Sequence, residues 1–258
     1  MEREISKTQV DRLGDQLRKG NITDSDLRLL DEYRRSFSEA YAAVAGAIRL
    51  QLGLEPTGRP AKSTTSIAEK LRRESIRLSQ IQDIAGCRLI VSDAREQDRV
   101  VASLRELFPF HSVVDRRHKP SHGYRAVHVI AKVDKKGVEI QVRTALQQLW
   151  AEVSEKLSDV MDPAIKYGGG AKKVQQFLAA SSVVVAKHEE DESQIFRIRQ
   201  ELTKLSSEAD LTPKATKDIM RLQRDLDSVQ EVLVKRRGET VKILQRLIEN
   251  PPGPKVEV

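Results

Sequence analysis

The run GVEIQVRT at 137–144 alternates without a break, with Val138, Ile140 and Val142 on one side and Glu139, Gln141 and Arg143 on the other. A side-chain period of two belongs to an extended strand, so this segment must enter a sheet. Its apolar side faces a core, and the other side carries an acid, an amide and a guanidinium in line. Taken alone, such a polar face is the solvated side of an antiparallel sheet. The upstream run RAVHVIAKV repeats the pattern, with Val127, Val129, Ala131 and Val133 on one face and His128 on the other with Ala126, Ile130 and Lys132. The polar loop at 134–137, ending in Gly137, joins the two runs and predicts an antiparallel hairpin.

Other chemistry-bearing residues flank this hairpin. Tyr124 follows Gly123 at the mouth of the first strand. IQDIAGCRLIVSD reads as a helix end, a short Ala-Gly turn and a buried strand, with Asp83 before the turn and Arg88 after it. Lys62, Ser66 and Lys70 recur at four-residue intervals with Arg73 three further on, one row along a helix face. Alone, a basic row is a solvated face. Two carboxylates from different elements, Asp83 and Glu139, suit a hard cation that keeps several waters, as magnesium does on a nucleotide phosphate. The basic residues would meet the phosphates. Phosphoryl and pyrophosphoryl transfer asks for this inventory, because it needs positioning and charge neutralisation more than covalent help.

The runs KSTTSIAEKLRR, QDIAGCRLIV, KPSHGYRAVH and VEIQVRTALQQLWAEVSEKL span residues 62–157. In content and order they resemble the synthetase domain of the RelA/SpoT family, whose members move pyrophosphate from ATP to the 3′-hydroxyl of GDP or GTP. The resemblance implies an α+β fold, a mixed β-sheet flanked by helices in a nucleotidyltransferase-like core. It implies that Asp83 and Glu139 hold Mg2+, with Glu139 also near the attacking hydroxyl as base. It places Arg88 against the ATP adenine and Lys62, Ser66 and Lys70, continued by Arg73, on the ATP phosphates. Tyr124 would stack on the acceptor base, and Lys119, Arg125, His128, Gln141 and Arg143 would complete the acceptor side. Two positions depart from the family pattern. Pro60 stands where an adenine-facing arginine is usual, leaving Arg59 as the nearest substitute, and Glu155 stands where a histidine is usual.

Pattern changes divide the chain of 258 residues into N-terminal helices at 1–55, the synthetase-like core at 56–165 and a C-terminal helical hairpin and tail at 166–258. Thr23 or Ser25 caps a long helix running through Tyr33, Phe37, Tyr41 and Val44. Gly168, Gly169 and Gly170 read as a flexible joint, since no strand precedes them and no Walker-type lysine and hydroxyl follow. Ile195, Ile198, Leu202 and Leu205, then Leu222, Leu226, Val229 and Leu233, form two apolar stripes separated by Leu211, Thr212 and Pro213. Such stripes suit packing within the chain or a homo-oligomer interface.

The single cysteine, Cys87, lies in an apolar run and reads as a buried hydrophobe in a protein of the reducing cytoplasm. The charged start MEREISK cannot act as a signal peptide, and no apolar stretch is long enough to span a membrane. No His-Asp metal pair stands upstream, which predicts synthesis without hydrolysis. The net charge of +7 leaves a second acceptor open. Some compact members of the family are toxins that modify the 3′-CCA end of tRNA, which would make tRNA the substrate and an antitoxin the partner. A nucleotide-binding module without catalysis is the third reading, and the presence of both carboxylates with the tyrosine and the phosphate row argues against it.

Overall fold

Local capping sets the N-terminal elements. Ser6 and Gln9 close a reciprocal capping box at the start of α1 (Lys7–Lys19), and Thr23 and Asp26 do the same for α2 (Asp24–Arg35). The long helix expected through Tyr33 and Val44 is two helices, α2 and α3 (Ser38–Leu52). The break at Ser36 coincides with a contact from far along the chain. The Ser36 hydroxyl donates to Tyr33 O (2.7 Å) and accepts from Lys136 Nζ (2.9 Å), whose ammonium lies over the Phe37 ring (4.8 Å) and the Tyr33 ring (5.5 Å). The apolar stripe continues across the break, with Tyr33, Phe37, Val44 and Ile48 all buried.

In the computed structural model, which describes residues 5–207 and 213–253, the chain forms two compact units. The first comprises Met1–Leu89, Arg99–Val114 and Val127–Val142; the second comprises Ile90–Asp98, Asp115–Ala126 and Arg143–Val258. The elements after α3 are β1 (Thr57–Arg59), α4 (Thr64–Arg73), β2 (Ala85–Val91), α5 (Ala94–Leu107), β3 (His111–Asp115), β4 (Val127–Val133) and β5 (Lys136–Thr144). The strands form one mixed sheet in the order β1-β2-β5-β4-β3, flanked by helices, as an α+β fold requires. β1 runs antiparallel to β2, and β4 runs antiparallel to β5 with His128 opposite Gln141 and Ile130 opposite Glu139.

The connection between β4 and β5 is tighter than the loop expected at 134–137. Val133 pairs with Lys136, so only Asp134 (φ 48°) and Lys135 (φ 65°) turn the chain, and Gly137 sits in the ladder opposite Lys132. Two successive left-handed residues match the right-handed strand twist.

The second unit is dominated by α6 (Ala145–Val160), α7 (Lys172–Ser206) and α8 (Pro213–Glu249). Its core gathers Leu146, Trp150, Val153, Leu157, Ile165, Leu178, Val185 and Leu244, and Trp150 Nε1 donates to Leu178 O (2.9 Å). The expected C-terminal helix pair is present and extends beyond both stripes; Leu211 and Thr212 lie outside the described residues. The triple glycine is a packed turn rather than a flexible joint. Gly168 has φ 86°, and a Cβ there would collide with the His122 ring, while Gln175 Nε2 donates to Ile165 O (2.8 Å) and Gly169 O (2.6 Å). Among the described residues, no helix is long and apolar enough to cross a membrane.

Candidate functional site

In the first unit the basic row is re-formed by tertiary structure. Lys62 is not on α4, because Ser63 caps that helix; the Lys62 N–H instead donates to Ile84 O (2.7 Å). Lys62 Nζ donates to Asp83 Oδ2 (2.7 Å) and Lys70 Nζ, on the helix, to Asp83 Oδ1 (2.9 Å). Ser66 belongs to the helix start, where its hydroxyl accepts from Ser63 Oγ (2.8 Å). Arg73, at the exposed end of α4, pairs with Glu74 (2.8 Å). Burial works against ionising Asp83, but the charges and hydrogen bonds of Lys62 and Lys70 outweigh it and bring its carboxyl down to about 2.

Glu139 occupies the polar face of β5. Its Oε1 meets His128 Nδ1 (2.8 Å), and its Oε2 accepts from Gln141 Nε2 (2.6 Å). Burial pushes this carboxyl upward, as does the Asp83 charge. The His128 and Gln141 interactions prevail and hold it below the ordinary glutamate range. The expected Ala-Gly turn after Asp83 is instead the start of β2, beside β5 in the sheet. Gly86 is needed there for close approach, since a Cβ would lie 3.0 Å from Glu139 O and 3.5 Å from Glu139 Cβ. Arg88, two residues on, sits opposite Thr57 of β1. The side chain of Arg59 lies outside the described residues.

Two oxygen-donor carboxylates are a sparse set for a metal, and among the described residues no group of three His, Cys, Asp or Glu forms a ready-made cage. Magnesium carried by a phosphate needs only one or two carboxylates and supplies the remaining oxygens from phosphate and water. Asp83 and Glu139 fit that chemistry. Both favour the ionised form, each bonded oxygen retains a lone pair, and the repulsion Glu139 feels from Asp83 is the kind a shared cation relieves.

The second unit holds the rest of the expected acceptor set. A tight turn in which Tyr124 N donates to Ser121 O (2.9 Å) presents Tyr124, while Lys119 is exposed in the preceding loop. Arg143 is 3% exposed; its Nη2 donates to Tyr124 Oη (2.8 Å), its Nη1 donates to Gln148 Oε1 (2.8 Å), and its guanidinium lies 5.0 Å from the Tyr124 ring centroid. Arg125 Nη2 donates to Glu189 Oε2 (2.9 Å). Glu155 is exposed on α6.

Sequence reasoning missed Gln148, Gln147 and Glu189. Thr144 and Gln147 form a reciprocal capping box on α6, so the T-x-x-Q spacing in TALQ could have revealed Gln147. No local signal marks Glu189, whose partner Arg125 is 64 residues away.

Comparison with known proteins yields one consistent assignment. Residues 58–158 match the family model described as a region found in RelA / SpoT proteins. The chain is 34% identical over 156 residues to GTP pyrophosphokinase YjbM of Bacillus subtilis, covering 54% of this chain and 70% of that one. It is 39% identical over 117 residues to an uncharacterized protein of Mycobacterium tuberculosis, covering 43% of this chain and only 42% of that relative. The crystal structure of small alarmone synthetase 1 from Bacillus subtilis bound to its product pppGpp superposes with a TM-score of 0.51 at 27% identity, covering 70% of this chain and 100% of that one. A second crystal structure of the same synthetase gives a TM-score of 0.50 at 29% identity over 69% of this chain and all of that one. With the five-stranded sheet and its two carboxylates in the matched region, the chain belongs to the RelA/SpoT family.

Proposed function

We propose that this chain is an ATP-dependent pyrophosphotransferase that moves pyrophosphate from ATP to the 3′-hydroxyl of GDP or GTP, making (p)ppGpp. The observation that carries the reading is the pair of ionised carboxylates, Asp83 held by two lysines and Glu139 held by His128 and Gln141. The relative named GTP pyrophosphokinase and the synthetase bound to pppGpp support the same reading.

The acceptor 3′-oxygen attacks the β-phosphorus of ATP, the bond between that phosphorus and the oxygen bridging to the α-phosphorus breaks, and AMP leaves. Glu139 takes the hydroxyl proton as the new bond forms. Its lowered proton affinity makes it a modest base, so positioning and charge neutralisation carry most of the acceleration. Lys62 and Lys70 bring two positive charges to the triphosphate, joined at the start of α4 by Ser66, while Arg88 stacks against the ATP adenine. Magnesium held by Asp83 and Glu139 would neutralise charge on the phosphate oxygens. Tyr124 stacks on the acceptor base, with its hydroxyl fixed by Arg143.

The test is incubation with magnesium and ATP labelled on its terminal phosphates, offering GDP, GTP, ATP and deacylated tRNA separately. Label on GDP or GTP is expected. Label on tRNA alone would replace this reading with the toxin reading, and no transfer to any acceptor would refute both. Glu139→Gln should lower the transfer rate by about a thousandfold with an unchanged circular dichroism spectrum.

A further inference from the structure

We infer that Glu189, in the middle of α7, is a positioning residue for the acceptor loop, acting through Arg125. The inference rests on the proposed function for what the loop binds, but not for the contact itself.

Glu189 is 7% exposed and is engaged on both oxygens: Oε2 accepts from Arg125 Nη2 (2.9 Å) and Oε1 from Gln147 Nε2 (2.5 Å). Gln147 is joined in turn to Gln97, whose Nε2 donates to Gln147 Oε1 (2.9 Å). The Gln97 Oε1 accepts from Arg117 Nη1 (3.3 Å), and Arg117 is also clamped by Asp115 and Asp98 (2.7 Å each). One network, buried at Glu189, Gln147 and Gln97 and reaching the surface at Asp98, therefore grips residues 115–126 at both ends, through Arg117 and Arg125. Lys119 and Tyr124 lie between those anchors.

The chemistry of the network favours placement over stability. An ion pair taken out of water recovers little net free energy, and an apolar cluster of similar size would serve stability as well. A carboxylate with two fixed donors, by contrast, sets the direction of the guanidinium it holds. Arg125 Nε is also buried and has no acceptor among the described residues. With Nη2 tied to Glu189 and Nε enclosed, the guanidinium is held in one direction. Helix α7 is thus part of the machinery that presents the acceptor, although it lies after the residues that match the family model.

Full-length wild type, Glu189→Gln and Glu189→Asp are compared in transfer from ATP to GDP with magnesium, and in hydrogen exchange without substrates. In Glu189→Gln the KM for GDP is expected to rise at least tenfold while the KM for ATP stays within twofold; Glu189→Asp, which keeps the charge on a shorter arm, falls between. Exchange at the hydrogen-bonded amides of Arg116, Arg117 and Tyr124 should quicken at least tenfold, with α1 and α2 unchanged. Equal movement of both KM values, loss of kcat alone, unchanged loop exchange, or failure of both variants to fold would each assign Glu189 to general stability and overturn the inference. If wild type transfers nothing to GDP or GTP, the proposed function fails, and hydrogen exchange alone decides the role of Glu189.

Discussion

Replacing Asp83 by Asn tests the electrostatics of the site without any substrate. Asp83 and the side chains of Lys62 and Lys70 are each 18–22% exposed, so solvent screens their interactions only partly. A folded value of about 2 against an ordinary 3.8 corresponds to about 2 kcal/mol of stability from the ionised carboxylate at pH 7. Because the folded value is depressed, this contribution is complete above the unfolded value near pH 4 and is lost as pH falls through the folded value near 2. At pH 3 about half of it, roughly 1 kcal/mol, should remain. Urea unfolding of wild type and Asp83→Asn at pH 7 and pH 3 measures the gap. A gap of about 2 kcal/mol that halves at pH 3 is expected, because the unfolded chain has by then largely bound the proton that folded Asp83 still excludes. A gap below about 0.5 kcal/mol at pH 7, the size of an exposed pair, or one that does not shrink with acid, would refute the ion-pair account.

Gly86→Ala should cost about 1–3 kcal/mol through overpacking against Glu139, lowering Tm by roughly 5 °C, and should slow transfer; unchanged Tm and rate would show that the sheet absorbs the methyl group freely. The Cys87 thiol, pushed up to about 12 by burial and by the Glu139 charge, should resist a thiol reagent at pH 8 until the protein unfolds, and rapid labelling of the native chain would contradict its burial. Lys135→Gly should stabilise the protein by about 0.5–1 kcal/mol, because it removes the left-handed strain of a side chain at φ 65°; a destabilised variant would refute the turn geometry.

The parts of the fold legible in the sequence are those fixed by near neighbours. The period of two in β4 and β5 gave their pairing and put Glu139, Gln141 and His128 on polar faces, because one buried face specifies register. The Thr23 cap was visible for the same reason, and so was Asp83, which precedes an apolar strand. What sequence periodicity missed depends on partners far along the chain. Helix α2 ends at Ser36 where Lys136, a hundred residues later, meets the serine hydroxyl and two aromatic rings. Lys62 and Lys70 have the spacing of one helical face, yet Lys62 lies before the helix and reaches Asp83 through a backbone bond to Ile84. A residue that precedes the helix cap and residues within the helix can therefore share one four-residue spacing.

The C-terminal helices show the same limit more sharply. Their apolar stripes speak only of packing, within the chain or between subunits. The residue that ties α7 to the loop at 115–126 is Glu189, one of two buried acids with Asp191 in the charged stretch AKHEEDES, where nothing local separates it from exposed Glu190. Burial makes the difference. At 71% side-chain exposure Glu190 has only a screened contact with Lys187, whereas at 9% Glu189 must be matched donor for acceptor. The demand to satisfy a buried charge, rather than any sequence pattern, separates Glu189 from Glu190, and the equally buried Asp191 meets the same demand through Arg236 and Lys187 instead of Arg125.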